Sequence, residues 1–255
     1  MIIQIDHITI STVHFDIATD CFKKWGYDLR FIEKGVDNLG IKKKFLRTLN
    51  PVHDIAFLQL TDSYSVEIIN HRSEQNIDSY IIPVIFRNPA EAWMEYQDSL
   101  KILNISGKPG ILPCIDIPVF ITTAPQAPEN AIKAIIVKTN DLKKSLEFWG
   151  YLGFKLQETD GIAARMSFIS PFRSTSLELI VMESPTEQPG YTLDSTGVSC
   201  IALISTSAKK DHDNLSENGI TVTEIGILSL NGKTLNIFFI LGPCNEIVEI
   251  IEITH

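Results

Sequence analysis

Six residues near the start of the chain, DHITIS (Asp6–Ser11), carry the first candidate for chemistry. They read as the opening of a strand whose His7 faces a pocket, and an imidazole so placed can bind a metal. Two later runs, IKAIIV (Ile132–Val137) and VSCIAL (Val198–Leu203), look like copies of that strand, with Lys133 and Cys200 at the His position. A lysine is a cation where a ligand would stand, whereas a cysteine could hold zinc. The question is whether His7 belongs to a working metal site or to what remains of one. Arg165 and Arg173 could neutralise an acidic ligand, and equally suit a solvated strand edge. Other mechanisms leave no trace: there is no Gly-rich phosphate loop, serine nucleophile elbow or His-Glu zinc helix.

The elements that must position these residues repeat. Ile5–Phe31 and Ile132–Leu156 both begin with a β-branched, apolar strand and continue into a polar turn. That turn offers a helix N-cap, Asp16 in the first unit and Asn140 or Asp141 in the second. Ile17, Cys21 and Trp25 then share one helical stripe, as do Leu142, Leu146 and Trp149. Each helix ends near a Gly followed by an aromatic, Gly26-Tyr27 and Gly153-Phe154. Paired strands follow, HDIAFLQL with YSVEIIN and RMSFIS with SLELIVM, so the unit reads β-α-β-β-β. A further copy starts at GVSCIALIST and closes with TVTEIGIL, TLNIFFIL and EIVEIIEI, with Asn231-Gly232 as a hairpin turn. A fainter one has DSYIIPVIF as first strand, a helix over Asn88–Ile102 and CIDIPVFIT as last strand. Four modules give two domains, 1–122 and 131–255, joined by a Pro-rich linker at 123–130.

Bulk properties narrow the class. A chain of 255 residues, 44% hydrophobic and 21% charged, can bury a full core. A net charge of −9 argues against nucleic acid or an anionic membrane as partner, and the one basic run, Lys42–Lys44, is too short to reverse that. The start MIIQIDHITI is too short and too alternating for a signal peptide, and no apolar run approaches the roughly 20 residues of a membrane span. Cys21, Cys114, Cys200 and Cys244 form no C-x-x-C pair and read as small thiols in a reducing compartment, so a cytoplasmic protein is expected.

The stretches DHITIS…FKKWGYDLRF, AIIVKTNDLKKSLEFWGYLGFKL, SLELIVM, GVSCIALIS and GPCNEIVEIIEI together resemble the vicinal oxygen chelate superfamily, in its glyoxalase-like branch. That superfamily includes glyoxalase I, bleomycin-resistance proteins and extradiol dioxygenases. The resemblance implies an α+β fold in which two β-α-β-β-β modules form one cupped mixed sheet. It also implies a divalent metal in the cup, held by His and Glu side chains from the first and last strands of each module, with a substrate chelating it through two neighbouring oxygens.

Carried over residue by residue, the first domain offers His7 and Glu67 as metal ligands, with nothing equivalent near Ser79 or Tyr80 or in Pro118-Val119-Phe120. His53, His71 or Asp78 would have to complete that set. The second domain offers Lys133, Glu178, Cys200 and Glu249, expected to converge with Lys133 in the metal's place, paired to a carboxylate. The reading that follows is a divergent glyoxalase-like protein, bleomycin-resistance-like in holding a small organic molecule without an intact metal centre. The alternative is a metal-dependent lyase, isomerase or dioxygenase working in the first domain with Zn, Mn, Fe or Ni. The expected partners are a small-molecule ligand and, as an option, a second copy in a homodimer.

Overall fold

Four β-rich modules follow one another along the chain. The computed structural model describes residues 1–73, 80–87, 100–103, 105–112, 115, 117–123, 129–171, 177–184 and 192–254. Module one contains β1 (Ile2–Ser11), α1 (Phe15–Lys24), β2 (Asp28–Asp37), a 3-10 turn (Gly40–Phe45), β3 (Val52–Gln59) and β4 (Ser65–Asn70). Module two contains β5 (Ile81–Arg87), β6 (Leu100–Ile102), β7 (Ile105–Leu112) and β8 (Ile117–Thr123). Module three has β9 (Ile132–Thr139), α2 (Leu142–Tyr151), β10 (Lys155–Thr159), β11 (Ala163–Phe168) and β12 (Leu177–Glu183). Module four has β13 (Gly197–Ser205), α3 (Ala208–Glu217), β14 (Thr221–Val222), β15 (Gly226–Leu230), β16 (Lys233–Leu241) and β17 (Ile247–Thr254). Of the helix expected over Asn88–Ile102, residues 88–99 lie outside the described residues, as do Asp78, Cys114 and Arg173. Leu100–Ile102 form a strand, paired with β7 in a tight hairpin through Leu103 at φ 53°. No helix of the described residues is long and apolar enough to cross a membrane.

Local chemistry explains the helices. Asp141 caps α2, its carboxylate accepting the Lys144 N–H at 3.0 Å. Asp16 does not cap α1: that helix starts at Phe15, so Asp16 lies inside the first turn. The buried face shifts with it, to Phe15, Ala18, Thr19 and Phe22, and Ile17 is exposed. Both stripes satisfy helical spacing, and the one carrying two phenylalanines wins the core. Both helices stop at a glycine with positive φ, Gly26 at 88° and Gly153 at 97°. Asn231 and Gly232, at φ 49° and 71°, make the expected hairpin turn between β15 and β16. Cys200 and Cys244 are buried free thiols, whereas Cys21 is half-buried and disulfide-bonded.

The modules pair to give an α+β fold of two cupped mixed sheets, but not in sequence order. In the first cup, β1 runs parallel to β4 and antiparallel to β13, and β13 runs parallel to β17. Modules one and four therefore share this cup. In the second, β9 pairs with β12 and β5, and β5 with β8, so modules two and three share it. A bridge from Val198 in β13 to Ile81 in β5 joins the two. The strand pairing thus crosses the sequence boundary between 1–122 and 131–255. Sequence neighbours usually pair, but four similar modules offer several equivalent pairings, and their own sequences do not choose among them. Each helix packs on strands of its own module, α1 on β3 and β4, α2 on β12, and α3 on β14 and β16.

The two matched aspartates supply a test of the helix starts. Asp141→Ala should cost about 1 kcal/mol of stability as a lost N-cap. Asp16→Ala should cost about 0.3 kcal/mol, the value of an exposed charge near a helix start. Urea unfolding of the two variants measures the difference.

Candidate metal centre

Register places the chemistry. Thr9 of β1 lies opposite Glu67 of β4, and His7, two residues earlier, shares its face. Across the β1–β13 pair, His7 faces Ala202 and Thr9 faces Cys200. Ala202 in turn lies opposite Glu249 of β17. Modules one and four are thus related by a local two-fold: Cys200 corresponds to His7, Ala202 to Thr9 and Glu249 to Glu67. His7 and Glu249 are two strands apart, roughly 9.5 Å between backbones. The methyl group of Ala202 between them leaves room for both side chains to reach over it.

They meet with Glu67. His7 Nε2 lies 3.4 Å from Glu67 Oε2 and 3.9 Å from Glu249 Oε2. The three ligand atoms all lie within 4.8 Å of one another, and all three residues are buried. Donors about 2.0–2.2 Å from one ion stand roughly 3–4 Å apart, so one divalent ion suits this spacing. His7 Nδ1 is 2.9 Å from Asp6 Oδ2, which presents Nε2 inward as the free ring nitrogen. Nε2 has no hydrogen-bond partner among the described residues. Thr9 Oγ1 donates to Glu67 Oε2 at 3.3 Å, and Phe57 packs edge-on to the imidazole, 5.5 Å between centroids.

The electrostatics are those of a buried, mutually interacting acid–base cluster. Burial opposes a charged His7, but the Glu67 carboxylate and the Asp6 hydrogen bond outweigh it and raise its pKa well above the ordinary value. Burial raises Glu67, but the His7 charge outweighs that and lowers it. Burial pushes Glu249 up to about 7 against the pull of Lys42, and Glu67 adds to the rise. Without metal, the cluster must hold protons to offset two buried carboxylates; a divalent ion does the same by coordination. At the fourth symmetry position, burial and then Glu249 push the Cys200 thiol well above its usual range, and Cys200 is not part of the three-residue group.

The cluster forms the floor of a 200 Å³ cavity lined by Phe31, Ile55, Phe57, Leu228, Ile237 and Ile251 and by Lys42. Lys42 is a residue that sequence reading missed: within a basic run it looks solvated, yet it is only 4% exposed.

The expected meeting of Lys133 and Glu178 with Cys200 and Glu249 does not occur. Lys133 and Glu178 belong to the second cup, where Glu178 lies opposite Ala134, one residue out of register with Lys133. Lys133 forms no ion pair with a described residue, and Glu178 instead faces Arg165, Oε2 to Nε 3.9 Å. Phe120 lies opposite Val84, as Glu249 lies opposite Ala202, and packs with Val84, Ala134, Ile136 and Ile180. An apolar cluster fills this cup where the first holds its polar one.

No protein-family model matches the chain, and no curated protein sequence matches it. Among solved structures, glyoxalase I from Zea mays is 15% identical, with 98% of this chain and 92% of that chain covered, at TM-score 0.62. A candidate dioxygenase from Bacillus subtilis is 13% identical, with 98% of this chain and 85% of that chain covered, at TM-score 0.67. At such identities the likeness is one of fold, and it extends over both cups.

His53 and His71, considered as further ligands, lie outside the three-residue cluster and pack against each other, 5.6 Å between ring centroids. Burial, then the charge of Lys42, lowers their pKa values to about 2 and about 3. Both rings are therefore neutral in the folded chain, whereas the unfolded chain protonates near 6.5. Their contribution is present above pH 6.5 and is lost as pH falls toward the folded values. His53→Leu should lose less stability between pH 7 and pH 4 than the parent in urea unfolding; equal losses would mean His53 is not held neutral.

Proposed function

Starting from a vicinal oxygen chelate fold, we propose that the cup shared by modules one and four binds one divalent transition metal through His7, Glu67 and Glu249. It then receives a small substrate with two neighbouring oxygens, making the protein a metal-dependent lyase, isomerase or dioxygenase. The observation that carries this reading is the buried Nε2 of His7, which makes no hydrogen bond to a described residue and faces the carboxylates of Glu67 and Glu249. Burying such a set without a cation is costly. Three protein ligands leave coordination positions for a chelating substrate. A bound ion would supply Lewis-acid charge at a substrate oxygen.

The chain's own residues do the rest. Asp6 fixes the His7 tautomer and ring orientation, and Thr9 orients Glu67. Ala202 keeps the floor open, and Phe31, Phe57 and the surrounding aliphatic side chains exclude water and hold an apolar body. The metal-free binding protein first expected from the sequence rested on ligand sets counted within each half of the chain. Counted across the β1–β13 pair, three of the four positions bring their ligand atoms within 4.8 Å of one another.

Elemental analysis of protein purified without a metal-binding tag should find about one Zn, Mn, Fe or Ni per chain. His7→Ala, Glu67→Ala and Glu249→Ala should each abolish stoichiometric binding, and Asp6→Asn should weaken it about 10- to 100-fold. Lys133→Met and Glu178→Gln should leave it unchanged. A metal-free protein whose melting temperature does not move on adding divalent ions would remove the enzyme reading.

A further inference from the structure

We propose that Lys42 anchors a negatively charged group of the ligand, so that the first cup selects small organic anions, carboxylates above all. The inference deepens the proposed function and rests on that cup being the binding site.

Lys42 enters the cavity from the 3-10 turn Gly40–Phe45, which is clamped between modules one and four. On one side the turn presses on β15: a Cβ added at Gly226 would stand 2.9 Å from Ile41 Cδ1 and 3.0 Å from Leu39 Cδ1. On the other, the Phe45 carbonyl accepts the Leu193 N–H at 2.6 Å, and the Phe45 ring lies 5.8 Å from that of Phe239. The turn that carries Lys42 is thus held in place beside the cavity.

Its ammonium group lies 5.8 Å over the Phe239 ring and forms no hydrogen bond or ion pair with a described residue. Its charge acts on Glu67 and Glu249 without an ion pair to either. If Lys42 served simply to neutralise them, a direct pair would be the low-energy arrangement. The ammonium opens onto the cavity with no acceptor from a described residue, and a ligand anion can supply one. With a divalent ion bound, Glu67 and Glu249 are neutralised and Asp6 is engaged with His7. Lys42 then has no described anionic group within ion-pair distance until a ligand brings one. Lys233, exposed at the rim, is a second cation lining the same cavity. The other walls are largely apolar, and 200 Å³ is below the roughly 300–1,000 Å³ of pockets for drug-sized molecules. The ligand class is therefore a small apolar body bearing two neighbouring oxygens and a separate anionic group.

The test uses an isosteric pair of probes, 3,4-dihydroxybenzoate and its neutral amide, titrated calorimetrically into the full chain, both zinc-loaded and metal-free. The parent protein should bind the carboxylate about 10- to 100-fold more tightly than the amide, the range for a hydrogen bond to a charged group. Lys42→Met and Lys42→Gln, with melting curves to establish folding, should lose that preference while keeping the parent's zinc content. A preference that survives in both variants overturns the proposal. So does a parent protein that binds the carboxylate no better than the amide in either state. Normal zinc content without the preference would sink the anchor and leave the metal centre standing. A Lys42-dependent preference in a protein that takes up no zinc would do the reverse.

Discussion

The antiparallel pairing of β1 with β13 is the constraint on which the rest depends. Both strands are central to their sheet and largely buried on both faces. Their register sets His7 against Ala202 and Thr9 against Cys200, and the parallel partners β4 and β17 then deliver Glu67 and Glu249 to the same face. A slip of one residue would turn His7 away from the cup and leave two carboxylates without it. The small side chain of Ala202 is part of the same constraint, since a branched residue there would stand between His7 and Glu249.

Two cups of one architecture have taken opposite solutions to a shared problem. Inward-facing positions at the centre of such a sheet are cut off from water, so they hold either apolar packing or polar groups that satisfy one another. The second cup takes the first course with Val84, Phe120, Ala134, Ile136 and Ile180. The first keeps His7, Glu67 and Glu249, with Asp6 and Thr9 behind them, and accepts shifted protonation as the consequence. On the proposed reading, function and stability are divided between the cups, one packed and the other open to a ligand.

Much of this was legible in the sequence, and the failures have a common cause. The repeated module, a helix cap at Asn140 or Asp141, the Asn231-Gly232 hairpin and the candidacy of His7 follow from local chemistry, whereas Glu67 entered through the family resemblance. Which module pairs with which does not, because that choice is made by long-range strand association between segments of similar composition. Glu249 was visible as a carboxylate on a closing strand, yet its partners were assigned from the wrong half. Lys133 was placed one residue out of register with Glu178, an error that alternation makes total. Lys42 was hidden for a different reason: a run of three lysines reads as a solvated surface, and only the clamp around the 3-10 turn buries the first of them.

The most direct measurement is an anomalous difference map at the zinc edge from crystals of the zinc-loaded protein. The account predicts one strong peak per chain in the first cup, about 2.0–2.2 Å from His7 Nε2 and from an oxygen each of Glu67 and Glu249. It predicts none among Lys133, Glu178 and Arg165 in the second. A peak bound by His53 and His71, a peak in the second cup, or fully loaded crystals with no density beside His7 would contradict it.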